Sequence, residues 1–343
     1  MTAAAWPDLG PTSDVVKGLP RIYQATPAVA MDDLLVFGGS GSPRLTARIC
    51  DYLDIDAGRG EVIRFSDGNL FPKVGQNVRG RDVYLVQSTV FPANDNFVEL
   101  LFWIDAFRRA SAASVTVLIP YFSYAKGDKK DEPRVAIRAR VCAQAIQAAG
   151  ADRVVTMDLH APQIQGFFDV PVDDLYALPI LAGAIVSGHA GDLVVVSPDV
   201  GFAKKARKYA TRLGARLAIA DKERVDDSES ARVIDLIGDV TDRHAVIVDD
   251  FTITAGTLVE VADCLIRRGA RSVRAAVTHG VFTGKSMHRL DDSPIETLIV
   301  TDTVENHPVS LSSKVDIISV APLFAEAIRR IHRRESISVL FEQ

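Results

Sequence analysis

Three observations predict an α/β fold of two similar domains, each a parallel sheet flanked by helices. Asp82 to Ser88 (DVYLVQS) reads as a strand, Phe97 to Arg109 as a helix and Ser114 to Pro120 as another strand. The later half repeats the plan, with strand Ala245 to Val248, helix Leu258 to Arg268 and strand Ser272 to Thr278. Both helices end in a double arginine, Arg108-Arg109 and Arg267-Arg268, before a small-residue turn into the next strand. Successive strand–helix–strand units give parallel pairs with right-handed crossovers, and two sets give two sheets. A chain of 343 residues has ample length for two cores.

Taken in order, the first 32 residues carry Pro7, Pro11, Pro20 and Pro27 among scattered Gly and Ala and read as a poorly ordered arm. They lack a basic start followed by an apolar stretch, so they are not expected to act as an export signal. Leu34 to Phe37 reads as the first strand and Pro43 to Leu53 as a helix, with Pro43 suited to the first turn. The Gly38-Gly39-Ser40-Gly41-Ser42 turn between them lacks the lysine of a GxxxxGK[ST] phosphate loop; leading the chain into the helix explains it. Arg134 to Ala149 reads as helix, Arg153 to Met157 as strand, and Tyr176 to Val186 as a helix crossing to the second domain. Leu193 to Val196 opens that domain's sheet, and Leu217 to Ala220 adds a strand. Asp221 to Ser230, charged and without apolar period, reads as a mobile surface loop. The expected divisions are an arm at 1–32, a first domain at 33–178 and a second at 179–343.

Composition excludes several function classes. Hydrophobic residues make up 48% and charged residues 24%, ordinary for a globular protein. A net charge of −5 argues against nucleic acid or an anionic membrane as the main partner. No apolar run is long enough to span a membrane. Cys50, Cys142 and Cys264 fall in helix-like apolar stretches and read as reduced, buried thiols of a cytoplasmic protein.

The chemistry concentrates in residues 245–257 (AVIVDDFTITAGT). A short β-branched strand ends in two adjacent carboxylates, Asp249 and Asp250, then a small-residue turn leads into a helix. In open α/β sheets ligands bind beyond the carboxyl ends of the strands. Thr254, Ala255, Gly256 and Thr257 leave room for backbone N–H groups to approach a phosphate at a helix N-terminus. The carboxylates suit sugar hydroxyls or Mg²⁺. The plainer alternative is a βα turn with Thr257 as helix cap and both carboxylates solvated.

Other blocks stand in order along the chain. They are Phe65-Ser66-Asp67-Gly68, Asn77-Val78-Arg79-Gly80, Gln87-Ser88-Thr89, Asn94-Asp95-Asn96 and Met157 to Pro171 (MDLHAPQIQGFFDVP). Ser197-Pro198-Asp199-Val200-Gly201, Thr278-His279-Gly280 and Ala325 to Arg330 follow. Residues 245–257 resemble the ribose-5-phosphate loop of phosphoribosyltransferases. Together the blocks, from about Leu34 to Phe341, resemble the ribose-phosphate pyrophosphokinase (PRPP synthetase) family. The resemblance implies two phosphoribosyltransferase-type domains. It also implies Mg²⁺-dependent transfer of pyrophosphate from ATP to the C1 hydroxyl of ribose 5-phosphate, giving PRPP and AMP. In such transfers the protein chiefly positions the reactants and neutralises spreading charge.

By the same resemblance, Lys222 and Arg224 clamp the transferring group, and His160 and Asp199 hold the Mg²⁺ that accompanies ATP. Phe65, Asp67 and Asn69 of a neighbouring subunit, with Lys126, Asp131 and His160, hold the nucleotide. Asp249, Asp250, Thr254, Ala255, Gly256 and Thr257 hold ribose 5-phosphate. A nucleotide site shared between subunits implies a homo-oligomer, a hexamer built from dimers. Arg79 and Arg134 match basic residues of an allosteric phosphate site, and Ser336 to Phe341 resembles its C-terminal part. Read without the family, the arginines are surface ion pairs and the C-terminal run is a final strand.

Several positions depart from the family pattern. Ile253 stands where the phosphate turn begins with a carboxylate, and Asn69 stands for Glu. Lys126-Gly127-Asp128 replaces Arg-Gln-Asp, and exchange of Arg for Lys at such a site is not conservative. Gly201-Phe202 replaces Gly-Gly, which places bulk where backbone approaches ligand. Pro133-Arg134-Val135-Ala136 replaces the usual lead into the next helix, so ordinary activation by phosphate is not expected. Three readings follow. A working synthetase is favoured by Lys222, Arg224, His160, Asp199, Asp249 and Asp250. A non-catalytic regulator that binds phosphorylated ligands or a catalytic homologue is favoured by Ile253, Asn69 and Gly127. A transferase using PRPP as donor fits poorly with the His160 and Asp199 pair.

Overall fold

The strands are built of residues that alternate between two apolar surroundings, and this alternation sets the architecture. The computed structural model describes residues 33–187, 192–224 and 231–341. The N-terminal arm and residues 225–230 lie outside them, as do the side chains of Lys222 and Arg224.

The first half comprises β1 (Leu34–Gly38), α1 (Pro43–Leu53), β2 (Gly60–Arg64), β3 (Leu70–Val74), β4 (Asp82–Val86) and α2 (Ala93–Arg109). It continues with β5 (Ser114–Ile119), α3 (Arg138–Ala149), β6 (Arg153–Met157), β7 (Val172–Leu175) and α4 (Leu178–Ser187). The second comprises β8 (Leu193–Ser197), α5 (Ala203–Leu213), β9 (Arg216–Arg224), β10 (Ala231–Ile237), β11 (His244–Thr252) and α6 (Gly256–Arg267). It ends with β12 (Ser272–Gly280), α7 (Ser286–Asp291), β13 (Ile295–Thr301), β14 (Val315–Ile318) and α8 (Ala321–His332).

Five strands form a parallel sheet in the order β1-β4-β5-β6-β7. Seven form the other, β10-β9-β8-β11-β12-β13-β14, in which β10 alone is antiparallel. β2 and β3 make a separate hairpin. On β4, Tyr84 and Val86 enter one core while Val83 and Leu85 enter another. On β8, Val195 shares the first of these cores, whereas Val194 and Val196 face a third. The shared core joins both sheets through α1, α4, α5 and α8. The two halves are therefore welded by apolar packing as well as linked by the chain.

The Gly-rich turn after β1 does lead into a helix, and its amides are already occupied. Ser40 N–H donates to Glu99 Oε1 (2.8 Å) and Gly41 N–H to Gln87 Oε1 (2.9 Å). Arg44 and Leu45 N–H donate to the Glu305 carboxylate at 3.1 and 2.7 Å.

Two expectations and one alternative reading are corrected. The helix expected from Arg134 starts at Arg138, because Arg134 has φ 68° and the Pro133 region cannot join the ladder. Residues 221–224 of the expected loop continue β9, with Lys222 opposite Val233 and Arg224 opposite Ala231. Ser336 to Phe341 does not form a strand; Ser338–Leu340 is a 3₁₀ turn, and Phe341 packs edge-on against Tyr176 (6.2 Å between centroids).

Candidate active site

β11 runs further than its apolar residues suggest, since Phe251 and Thr252 still pair with His279 and Gly280 of β12. Asp249 and Asp250 thus lie within the last turn of pleat, on opposite faces. Asp250 is buried, and its Oδ2 accepts a hydrogen bond from His160 Nδ1–H (3.1 Å) and lies 3.8 Å from Lys205 Nζ. Burial opposes its ionisation, but the His160 hydrogen bond and the Lys205 charge outweigh that and hold it below the usual carboxylate range. Asp249 is pushed well above that range, first by burial and then by the charge of Asp250, with Asp199 adding a further push. Asp249 thus feels two other carboxylates, Asp250 beside it and Asp199 after β8, while Lys205 stands 3.8 Å from Asp250.

The following turn is built for close approach. Ala255, at φ 58°, caps α6 in the left-handed region, so Thr257 lies inside the first helical turn and does not cap it. The first N–H groups of α6 have no acceptor within the helix. Thr254 Oγ1 accepts from Gly256 N–H at 3.5 Å. Arg289 of α7 donates to the Thr254 carbonyl at 3.4 Å and brings a guanidinium beside this turn. Nothing in the sequence around Arg289 had marked it.

Beside His160 lies a cleft lined also by Tyr121, Lys126, Phe251 and His279. Lys126 Nζ sits 3.7 Å above the Phe251 ring, and the His160 ring meets that ring edge-on at 5.6 Å. His160 is 43% exposed. Because its Nδ1 carries the proton given to Asp250, the neutral ring keeps its lone pair on Nε2. Asp199, exposed at the end of β8, accepts from Phe202 N–H through Oδ1 (2.9 Å).

Other expected site residues stand apart from this group within one chain. Phe65, Asp67 and Asn69 occupy the tip of the β2–β3 hairpin, where Phe65 is 50% exposed and stacks on Phe71. Arg79, Asp131 and Arg134 are exposed on the first half.

Asp174 lies behind the His160 segment and accepts from Thr156 Oγ1 (3.0 Å) and Leu159 N–H (3.1 Å). Burial, with the charge of Asp158 second, raises it from 3.8 to about 7. The folded state thus holds a proton that the unfolded chain releases. This contribution to stability is full below about pH 4 and is lost as the pH rises through about 7. Asp174→Asn is expected to stabilise the protein at pH 8 by on the order of 1 kcal/mol and to flatten its stability between pH 4 and 7. Urea unfolding at several pH values checks this; an unchanged slope would count against it.

Comparison with known proteins places this geometry. Residues 34–150 match the N-terminal domain of ribose phosphate pyrophosphokinase, and residues 228–342 match the phosphoribosyl synthetase-associated domain. The ribose-phosphate pyrophosphokinase of Caldanaerobacter subterraneus subsp. tengcongensis is 47% identical over 311 residues, 90% of this chain and 98% of that protein. The protein of that name from Rhizobium meliloti is 45% identical over 309 residues, 90% of this chain and 99% of its own. The chain belongs to the ribose-phosphate pyrophosphokinase family. The crystal structure of phosphoribosylpyrophosphate synthetase from Mycobacterium smegmatis superposes with a TM-score of 0.82 at 36% identity, covering 88% of this chain and 99% of that one.

Within this pyrophosphokinase fold the departures have physical places. Ile253 packs beside Val90, Phe91, Tyr121, Val281 and Val304, so an apolar cluster takes it up. Phe202 packs into the core between the halves, where its neighbours are apolar, and also lines the cleft beside Lys205 and Asp250. At Gly127 a Cβ would lie 2.6 Å from Arg138 Nε, so glycine makes room for that guanidinium. Asn69 donates to both oxygens of Asp67, shaping the hairpin tip.

Proposed function

We propose that the protein transfers the diphosphoryl group of ATP to the C1 hydroxyl of ribose 5-phosphate, releasing AMP and PRPP. The observation that carries this reading is the joining of Asp249, Asp250 and the open α6 turn to His160 and Lys126 of the other half. Asp249 and Asp250 accept hydrogen bonds from ribose hydroxyls. The N–H groups of Thr254 to Thr257 hold the 5-phosphate, and Arg289 adds charge beside it. Lys126, Asp131 and His160 face the nucleotide, with Phe65, Asp67 and Asn69 of a second copy. Lys222 and Arg224 meet the transferring group from β9.

The donor set suits Mg²⁺. Among the described residues no three His, Cys, Asp or Glu side chains are grouped as a metal cage. Mg²⁺ keeps several waters and binds through one or two protein ligands plus substrate phosphates, and His160 Nε2 and Asp199 offer such a pair. When bound, the ion neutralises phosphate charge.

The exposed apolar group Ile63, Phe65, Phe71, Val98 and Phe102 on the hairpin and α2 supports association into a homo-oligomer, which we take to be a hexamer built from dimers. The Arg64–Asp95 pair (2.8 Å) ties these two elements together. Arg79 and Arg134 remain candidates for an anion at such a boundary. A cytoplasmic location suits the three unpaired, buried cysteines. Among the described residues no helix is long and apolar enough to cross a membrane. The regulatory alternative drew on Ile253, Asn69 and Gly127, and each is accommodated without closing the site.

The test is AMP and PRPP formation from ATP and ribose 5-phosphate with Mg²⁺. Lys222→Ala is expected to lower the rate by roughly 10³-fold, as expected for loss of a cation that acts in the transition state. No AMP from folded wild-type protein would overturn the reading.

A further inference from the structure

Four consecutive residues at the end of β6 are each held by a residue of the other half. His279 Nε2–H donates to the Met157 carbonyl at 3.0 Å, and Thr278 Oγ1–H donates to Asp158 Oδ2 at 2.7 Å. Lys205 Nζ donates to the Leu159 carbonyl at 3.1 Å, and Asp250 accepts from His160 at 3.1 Å. Met157, Asp158 and Leu159 are buried, as are Thr278, His279 and Asp250. Asp158 takes φ 44°, a strained turn for a non-glycine residue, and its Oδ2 also accepts from Ala177 N–H at 3.0 Å. The chain thus bends sharply at Asp158 and is pinned on both sides of the bend.

Lys205 occupies a singular place in this row. Its ammonium reaches a backbone carbonyl of the first half and, at 3.8 Å, a carboxylate of the second. Its side chain is only 26% exposed, since it descends from α5 into the joint beside Phe202 and Tyr209. A lysine so placed spans the edge that carries His160 and the edge that carries Asp250. Lys205 adds to the other three bonds of the row the one ion that reaches both edges, holding the Leu159 carbonyl just before His160 while the ring bonds Asp250 and meets Phe251 edge-on.

We propose that residues 157–160 and their four partners form a clasp that sets the nucleotide edge and the ribose edge in register, with Lys205 as its positioning residue. This rests on the synthetase reading for its catalytic consequence, but not for the clasp itself. Lys205 touches no reacting atom. It acts through His160 and Asp250, and transfer in line between two bound substrates is sensitive to misplacement of about 1 Å, which can cost ~10²-fold.

The experiment compares wild type, Lys205→Met and Lys205→Arg. In Lys205→Met, kcat is expected to fall roughly 10- to 100-fold while the KM values for ATP and ribose 5-phosphate each stay within about threefold. Lys205→Arg, which keeps a donor and a charge, is expected to recover part of kcat. Combining Lys205→Met with His160→Ala should cost no more than the larger single loss, since both act in one unit. Hydrogen exchange reads the clasp without turnover: residues 157–160 and 249–252 are expected to exchange faster together in Lys205→Met. A rise in one KM alone would make Lys205 a ligand contact and overturn the proposal, as would multiplying losses or unchanged exchange in either segment. If wild type forms no AMP, the synthetase reading fails, and the exchange comparison still decides the clasp.

Discussion

Asp250→Asn is expected to lower kcat/KM for ribose 5-phosphate by roughly 10²- to 10³-fold while leaving the protein folded. The carboxylate does two things at once. It accepts the His160 proton donor at 3.1 Å and offsets the Lys205 ammonium at 3.8 Å. It also stands ready for a sugar hydroxyl at the strand end. An amide keeps the shape but presents an N–H₂ group to a donor, so His160 loses its anchor and the ribose loses a charged acceptor. Stability should change by only about 1 kcal/mol, because loss of the charge that His160 and Lys205 favour is partly offset by relief of the repulsion that, after burial, raises Asp249. Steady-state kinetics read beside thermal unfolding decide the matter. Activity lost only in step with fold would show Asp250 to be structural, and an unaltered KM and kcat would remove it from the site.

The half of this site that lies on β11 was legible in the sequence, and the reason is local. A β-branched run, two carboxylates and a small-residue turn are contiguous, so one strand-to-helix passage presents them all. The repeated strand–helix–strand plan was legible for the same reason. Each unit carries its own period, and β4-α2-β5 and β11-α6-β12 fall where that period placed them. The β2–β3 hairpin was missed because β2 is exposed on nearly every residue and shows no alternation. The joint could not be read at all. Its partners are separated by 90 residues for His160 and Asp250, 120 for Asp158 and Thr278, and 122 for Met157 and His279. Pattern along the chain carries no information about such pairs. The packing of Phe202 was hidden for a related reason, since the core between the halves that receives its ring is not visible along the chain.

The joint's polar side offers the largest expected effect on stability. Glu305, from the loop after β13, lies 1% exposed against the N-terminus of α1 in the other half, where it takes both Arg44 and Leu45 N–H groups. It is a helix cap supplied from 260 residues away. Glu305→Ala leaves one buried and one part-buried donor without their acceptor and opens a gap in a packed joint, and should destabilise the protein by about 3 kcal/mol. The effect depends on pH in a definite direction. Burial, opposed by the two N–H groups, raises Glu305 from 4.5 to about 7. Its contribution is therefore full below about pH 4.5 and shrinks as the pH passes 7, so the variant should lose most at pH 5 and least at pH 8. Because α1 and α8 share one core with both sheets, unfolding should remain a single transition in the variant, at lower urea. Two separated transitions would mean that the apolar weld between the halves is weaker than its buried residues suggest, and that Glu305 and the clasp at Met157 to His160 hold the halves together instead.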